Sequence, residues 1–123
     1  MWLRARIIAH ELRAVGIDAN CAPCADIASD ATHPFLRNRC YGSDPATVTE
    51  MARAVADGHL AGGVLPVAKH LPGHGRAMAD SHKDLPVVEA SREALDERDF
   101  RPFRHLADMP LAMTAHVVYT DRK

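Results

Sequence analysis

Apolar positions recur along the chain with a period that changes from block to block. Trp2, Ala5, Ala9, Leu12 and Val15 fall at helical spacing and predict a helix over residues 2 to about 15, stopped by Gly16. Ile17 to Ile27 is a run of small and apolar residues that reads as a buried strand, its second half reduced by Pro23 to a strand end or loop. A polar loop from Ala28 to Ser43 carries Asp30, His33, Arg37 and Arg39. Asp44-Pro45 then supplies an N-cap and a first-turn proline, and Val48, Met51, Ala52, Val55 and Ala56 give the next helix one apolar face before Gly62-Gly63. Val64 to His70 predicts a second buried strand, which runs into a long loop from Lys69 to Pro86. Ser91 caps a short helix through Glu97, and Asp99 caps a second, to about Ala107, with Pro102 in its first turn. Leu111 to Tyr119 is the last predicted strand.

Strands separated by helices predict a parallel sheet covered by helices. Polar residues gather after the strands, at Asp26 to Arg39, Lys69 to His82 and His116 to Asp121. In a barrel or a doubly wound sheet that end binds ligands, and the pattern does not choose between the two. A complete (β/α)₈ barrel typically needs ~250 residues. The 123 residues here hold about three strands and form one partial domain.

Composition narrows the partners. Apolar residues make up 47% and charged residues 25%, with a formal charge of -1, so nothing biases the chain toward nucleic acid or an anionic membrane. No apolar run reaches the ~18 residues that span a bilayer. Charges interrupt the apolar residues of the first segment, unlike a signal peptide, which makes the cytoplasm the expected setting. Three cysteines suit a reducing compartment better than a disulfide framework.

The loop from Lys69 to Pro86 concentrates the candidate chemistry, with three of the eight histidines. Asp80 and His82, two residues apart, can set a carboxylate against an imidazole, fixing its tautomer and favouring the protonated form of a general acid. The same triplet also occurs in ordinary solvated loops. His70, His74, Asp80 and His82 are metal-ligand types without the familiar zinc spacing, so no metal or other cofactor is expected. Cys21-Ala22-Pro23-Cys24 has no second pair to complete a site and reads as small thiols. Arg37, Arg39, Lys69 and Arg76 can bind hydroxyls or a carboxylate, or lie in solvent; Lys69 stands apart because it follows an apolar strand directly. Met113, Thr114 and His116 read as lining.

The run Lys69-His70-Leu71-Pro72-Gly73-His74-Gly75, followed by Asp80-Ser81-His82 and Leu85-Pro86, resembles the signature of family 3 glycoside hydrolases, in their bacterial β-N-acetylglucosaminidase branch. That branch reads K-H-F-P-G-H-G and then D-[ST]-H-x-x-L-P. Asn20 to Asp26 is similar to its N-x-A-P-x-x-D strand, Arg39 to Pro45 to its R-x-[FY]-x-x-D-P, and Met113 to Tyr119 to its M-T-A-H-V-x-Y. The resemblance implies a segment of a (β/α)₈ barrel enzyme that removes terminal β-linked N-acetylglucosamine from a muropeptide or oligosaccharide in cell-wall recycling. It implies retention through a covalent glycosyl-aspartate, with His82 and Asp80 as the acid/base dyad. Lys69, His70 and Arg39 match its sugar-binding residues, and His74 belongs to the loop-shaping half of the motif. Adjacent strand side chains face opposite ways, so directing Lys69 and His70 at one sugar calls for a cis or otherwise irregular peptide between them. Leu71 replaces the usual Phe. The family's nucleophile segment, G-F-x-G-x-[VI]-x-[ST]-D-[DS], has no counterpart before Lys123, so the chain is expected to be inactive by itself. The rival readings are a non-catalytic sugar-binding remnant and a metal-dependent hydrolase.

Overall fold

The computed structural model describes residues 1–80 and 83–120. Helix α1 spans Trp2–Ala14 and buries Ala5 and Ala9. It ends where Gly16 takes a φ of 82°. Helix α3 spans Pro45–Ala61, begun by Asp44, whose carboxylate accepts the Thr47 N–H at 2.8 Å, and ended by Gly62. Between them a short helix, α2 (Pro34–Arg37), occupies part of the expected loop; His33 Nδ1 accepts the Phe35 N–H at 3.3 Å at its start.

The main sheet holds β1 (Ala19–Asn20), β2 (Leu65–Leu71) and β4 (Leu111–Thr114), all parallel, with β2 in the centre. Ala19 pairs with Leu65, and Val67 with Leu111; the β2–β4 register slips between Lys69 and Leu71. The first predicted strand is corrected to two residues, because Pro23 has no N–H to give the ladder. The chain nevertheless follows β2 beyond that point. Val67 N–H bonds Ala22 O at 2.9 Å, Lys69 N–H bonds Pro23 O at 3.0 Å, and Ala25 N–H bonds Lys69 O at 2.7 Å. Peptides Ala22–Pro23, Lys69–His70 and Leu71–Pro72 are cis. The cis bond expected between Lys69 and His70 is therefore present.

Two further corrections concern the C-terminal part. The last predicted strand divides into β4 and β5 (Val118–Thr120), and β5 pairs in parallel with β3 (Val87–Glu89), a stretch the sequence pattern assigns to no element. Three residues after a proline are too few for a period to register. Helix α4 (Arg92–Ala94), capped by Ser91, widens into a π-helical turn over Leu95–Asp99 before α5 (Arg101–His105). Asp99 is not the cap expected of it. Its carboxylate is buried and accepts Arg76 Nε–H at 2.6 Å.

Two apolar clusters hold these parts together. Ala25, Ala52, Ala68, Phe103 and Leu106 join the sheet to α3 and α5, and Ala77, Val88 and Leu95 join the long loop to β3 and the π turn. Behind β1, buried His59 accepts Asn20 Nδ2–H at Nε2 (2.8 Å) and donates Nδ1–H to Val55 O (2.8 Å), which leaves neither ring nitrogen orphaned.

Helices α1 and α3 approach so closely that only glycine fits at the crossing. A Cβ on Gly58 would lie 2.6 Å from Trp2 O and 2.7 Å from Ala5 Cβ. Alanine would gain about 1 kcal/mol of helix propensity over glycine. Overpacking against a backbone carbonyl costs about 1–3 kcal/mol, so Gly58→Ala is expected to destabilise the protein, read as a lower midpoint of urea unfolding; an unchanged or higher midpoint would show the helices free to part.

Candidate functional site

The site is built where the chain after β1 meets the C-terminal end of β2. Asp26 is wholly buried there and gathers four donors. His70 Nδ1–H reaches Oδ2 at 2.7 Å, and the Cys24 thiol reaches the same oxygen at 3.4 Å. The backbone N–H groups of His74 and His70 reach Oδ1 at 2.7 and 3.3 Å. A buried carboxylate is tolerable only when its lone pairs are filled in this way. With Nδ1 committed to Asp26, His70 keeps Nε2 for other partners.

His70 lines a cavity of about 310 Å³, together with Phe35, Arg39, His74, Met113, Thr114 and His116. The Arg39 guanidinium carbon lies 5.4 Å from the Phe35 ring centroid. Phe35 in turn meets His74 edge-on, with ring centroids 6.1 Å apart. Cationic and imidazole N–H donors beside an aromatic face and a methionine suit a small polyhydroxylated ligand, which offers hydroxyls on its rim and C–H groups on its faces.

His74 is 2% exposed, and neither ring nitrogen has a hydrogen-bond partner among the described residues. Burial pushes its imidazole below the ordinary value of 6.5, although Asp26 pulls the other way. Cys24, Asp26 and His70 also offer three metal-ligating atoms within 4.8 Å of one another. Those atoms already pair through the protons of the thiol and of Nδ1, so the group works as it stands as a hydrogen-bonded dyad with a thiol beside it.

The sequence-predicted residues fare unequally. Arg39 and His70 share the cavity wall. Lys69 is half-buried on β2, opposite Met113, and is not among the residues that line the cavity. Asp80 is half-buried past the loop's glycines, and its carbonyl accepts the N–H groups of Lys83 and Asp84 at 2.9 and 3.0 Å. His82, like Ser81, lies outside the described residues. Arg76 is spent on Asp99, and Arg37 on a loose surface contact with Asp30 at 3.5 Å. The reading of Met113, Thr114 and His116 as lining holds. Sequence reasoning missed Asp26 as the partner of His70 and Phe35 as cavity wall; a lone acid 44 positions upstream gives no sign of the contact until the fold brings it there.

Two outcomes follow from this geometry. Asp26→Ala strands the His70 imidazole N–H and two backbone N–H groups in the interior, and is expected to cost about 3–5 kcal/mol in chemical denaturation; a loss under 1 kcal/mol would mean that water replaces the carboxylate. His74 titrates below its unfolded value, so its stabilising share is whole above about pH 6.5 and is lost as pH falls toward the folded value. The slope of stability between pH 7 and 5 should therefore flatten in His74→Leu, and an unchanged slope would assign the titration elsewhere.

Similarity to known proteins agrees with this geometry. The family model described as "Glycosyl hydrolase family 3 N terminal domain" matches residues 4–123. A β-hexosaminidase of Alkalilimnicola ehrlichii is 39% identical over 115 residues, which is 92% of this chain and 33% of the relative. β-Hexosaminidase A of Pseudoalteromonas piscicida is 37% identical over 118 residues, 94% of this chain and 20% of the relative. This chain thus spans a third or less of these relatives. Among solved structures, a family 3 β-N-acetylglucosaminidase from a Paenibacillus species superposes with a TM-score of 0.92 at 38% identity, covering 96% of this chain and 23% of that one. Native NagZ from Neisseria gonorrhoeae superposes with a TM-score of 0.87 at 37% identity, covering 94% and 34%, and the same enzyme has been solved with N-trifluoroacetyl-D-glucosamine. The expected fold, a partial (β/α)₈ barrel with three parallel strands and flanking helices, is the one observed. The chain belongs to glycoside hydrolase family 3, as part of its N-terminal barrel domain.

Proposed function

We propose that this chain is the sugar-binding and proton-transfer portion of an enzyme that removes terminal β-linked N-acetylglucosamine with retention of configuration. One observation carries the reading: His70, braced by buried Asp26, and Arg39 converge on one cavity of about 310 Å³. In this reading Arg39, His70 and neighbouring Lys69 donate hydrogen bonds to the sugar's hydroxyls. Phe35 and Met113 offer apolar surface to its C–H groups. His82, held by Asp80, protonates the departing glycosidic oxygen, so that the bond to the anomeric carbon breaks as an aspartate from another part of the barrel attacks that carbon. The unprotonated His82 then takes a proton from water, whose oxygen attacks the same carbon and frees the aspartate. Every proton in this cycle is carried by the dyad, and no cofactor enters it. A muropeptide or another N-acetylglucosamine-containing oligosaccharide is the substrate class, and cytoplasmic recycling of cell-wall fragments is the setting.

The test uses the full-length protein. Wild-type enzyme should cleave 4-nitrophenyl N-acetyl-β-D-glucosaminide in preference to the corresponding β-D-glucoside. His82→Ala should lose ~10²–10⁴-fold in kcat on an unactivated disaccharide such as chitobiose, and far less on the activated aryl substrate, which departs without a proton. Equal losses on both substrates would make His82 structural. Binding of N-acetylglucosamine without hydrolysis would favour the non-catalytic sugar-binding reading instead.

A further inference from the structure

The stretch Met113 to Tyr119 matches a family motif, yet the catalytic reading gives its last residue no part. Tyr119 lies on β5 opposite Val88 of β3, and its half-buried ring meets Phe100 edge-on, with centroids 6.2 Å apart. Its hydroxyl donates to Gly73 O. The N–H of that same peptide unit, which is the N–H of His74, donates to Asp26 Oδ1 at 2.7 Å. Asp26 Oδ2 in turn accepts His70 Nδ1–H at 2.7 Å. One unbroken chain of hydrogen bonds therefore runs from the phenol, through a single peptide plane and a buried carboxylate, to an imidazole in the cavity wall.

We propose that Tyr119 is a positioning residue for His70, holding the Gly73–His74 peptide so that Asp26 keeps the imidazole aimed into the cavity. A peptide plane turns as a unit, because its C–N bond does not rotate freely. Gly73 flanks this plane at a φ of 141° and has no Cβ, so local sterics do little to fix it. Asp26 grips the N–H end and Tyr119 the carbonyl end. Without the hydroxyl the plane is free to tilt, and the bond from His74 N–H to Asp26 weakens with it. The phenol also polarises the amide, which makes that N–H a stronger donor. Tyr119 itself is not among the residues that line the cavity. Its effect on activity rests on the sugar-binding role proposed for His70; its effect on the His70–Asp26 bond does not.

Full-length Tyr119→Phe removes the hydroxyl and leaves the ring. The first readout is the His70 Nδ1–H magnetic resonance signal, observed with isotopically labelled histidine and assigned by its loss in His70→Ala. In Tyr119→Phe that signal should move, and its exchange with solvent should quicken. The second readout is hydrolysis of 4-nitrophenyl N-acetyl-β-D-glucosaminide. There KM should rise about 3- to 10-fold, the worth of one modest hydrogen bond, with kcat nearly unchanged. Adding Tyr119→Phe to His70→Ala should raise KM no further. Val88→Ala is the control for packing alone: it loosens the cluster against which Tyr119 packs and spares the hydroxyl, so signal and KM should stay as in the wild type. An unmoved His70 signal in Tyr119→Phe overturns the proposal, as does an equal shift in Val88→Ala or a KM rise that persists in full without His70. A moved signal with unchanged KM upholds the positioning and overturns the sugar-binding role of His70 instead.

Discussion

A single buried carboxylate organises this part of the molecule. Asp26 takes donors from the strand extension that holds it, from the end of β2 and from the turn after β2, so three stretches distant in sequence share one anchor. A fully desolvated aspartate without such partners would cost several kcal/mol. That penalty disciplines the geometry. The donors stay in place because removing any one of them exposes the charge to an apolar interior, and the orientation of His70 is inherited from that requirement.

The turn itself is pinned by four further contacts. Gly75 lies against Ile27 so tightly that a Cβ would sit 1.9 Å from its carbonyl oxygen, which explains a glycine there on space alone. The Thr32 hydroxyl donates to Gly75 O at 2.6 Å, and the Tyr119 hydroxyl donates to Gly73 O. Burial pushes the Tyr119 phenol above its ordinary range, so it remains a donor. Arg76 closes the turn onto Asp99 in the π-helical turn, which accounts for a buried acid that would otherwise have capped a helix. The widened turn and the loop therefore depend on one another.

What the sequence made legible were features with a period or a motif. Helices α1 and α3 have four or more apolar repeats each, and their stops coincide with Gly16 and Gly62. Strand β2 is a run long enough to read, the motif that begins at its end marks His70, the separate stretch Arg39–Pro45 marks Arg39, and both residues line the cavity. Illegible were β3, three residues long, and the division of β4 from β5, because both are decided by pairing and not by local preference. Asp99 misled for the same reason: an acid before a helix reads as a cap until a distant arginine claims it. The Asp26–His70 contact spans 44 positions and belongs to the tertiary structure alone.

The candidate site thus divides into two halves held by different forces. Up to Ala77, which is fully buried against Val88 and Leu95, the loop is fixed by contacts with residues far away in the chain. Past it, Met78 is 72% exposed, and the turn at Asp80 is closed by bonds from Lys83 and Asp84, only a few residues on. The first half carries the residues that would hold a sugar, and they cannot shift without disturbing the core. The second half carries Asp80, the proposed partner of the proton carrier, within that turn. Recognition gains from being held as the first half is, because side chains already fixed by the core leave little ordering to be done when a ligand enters.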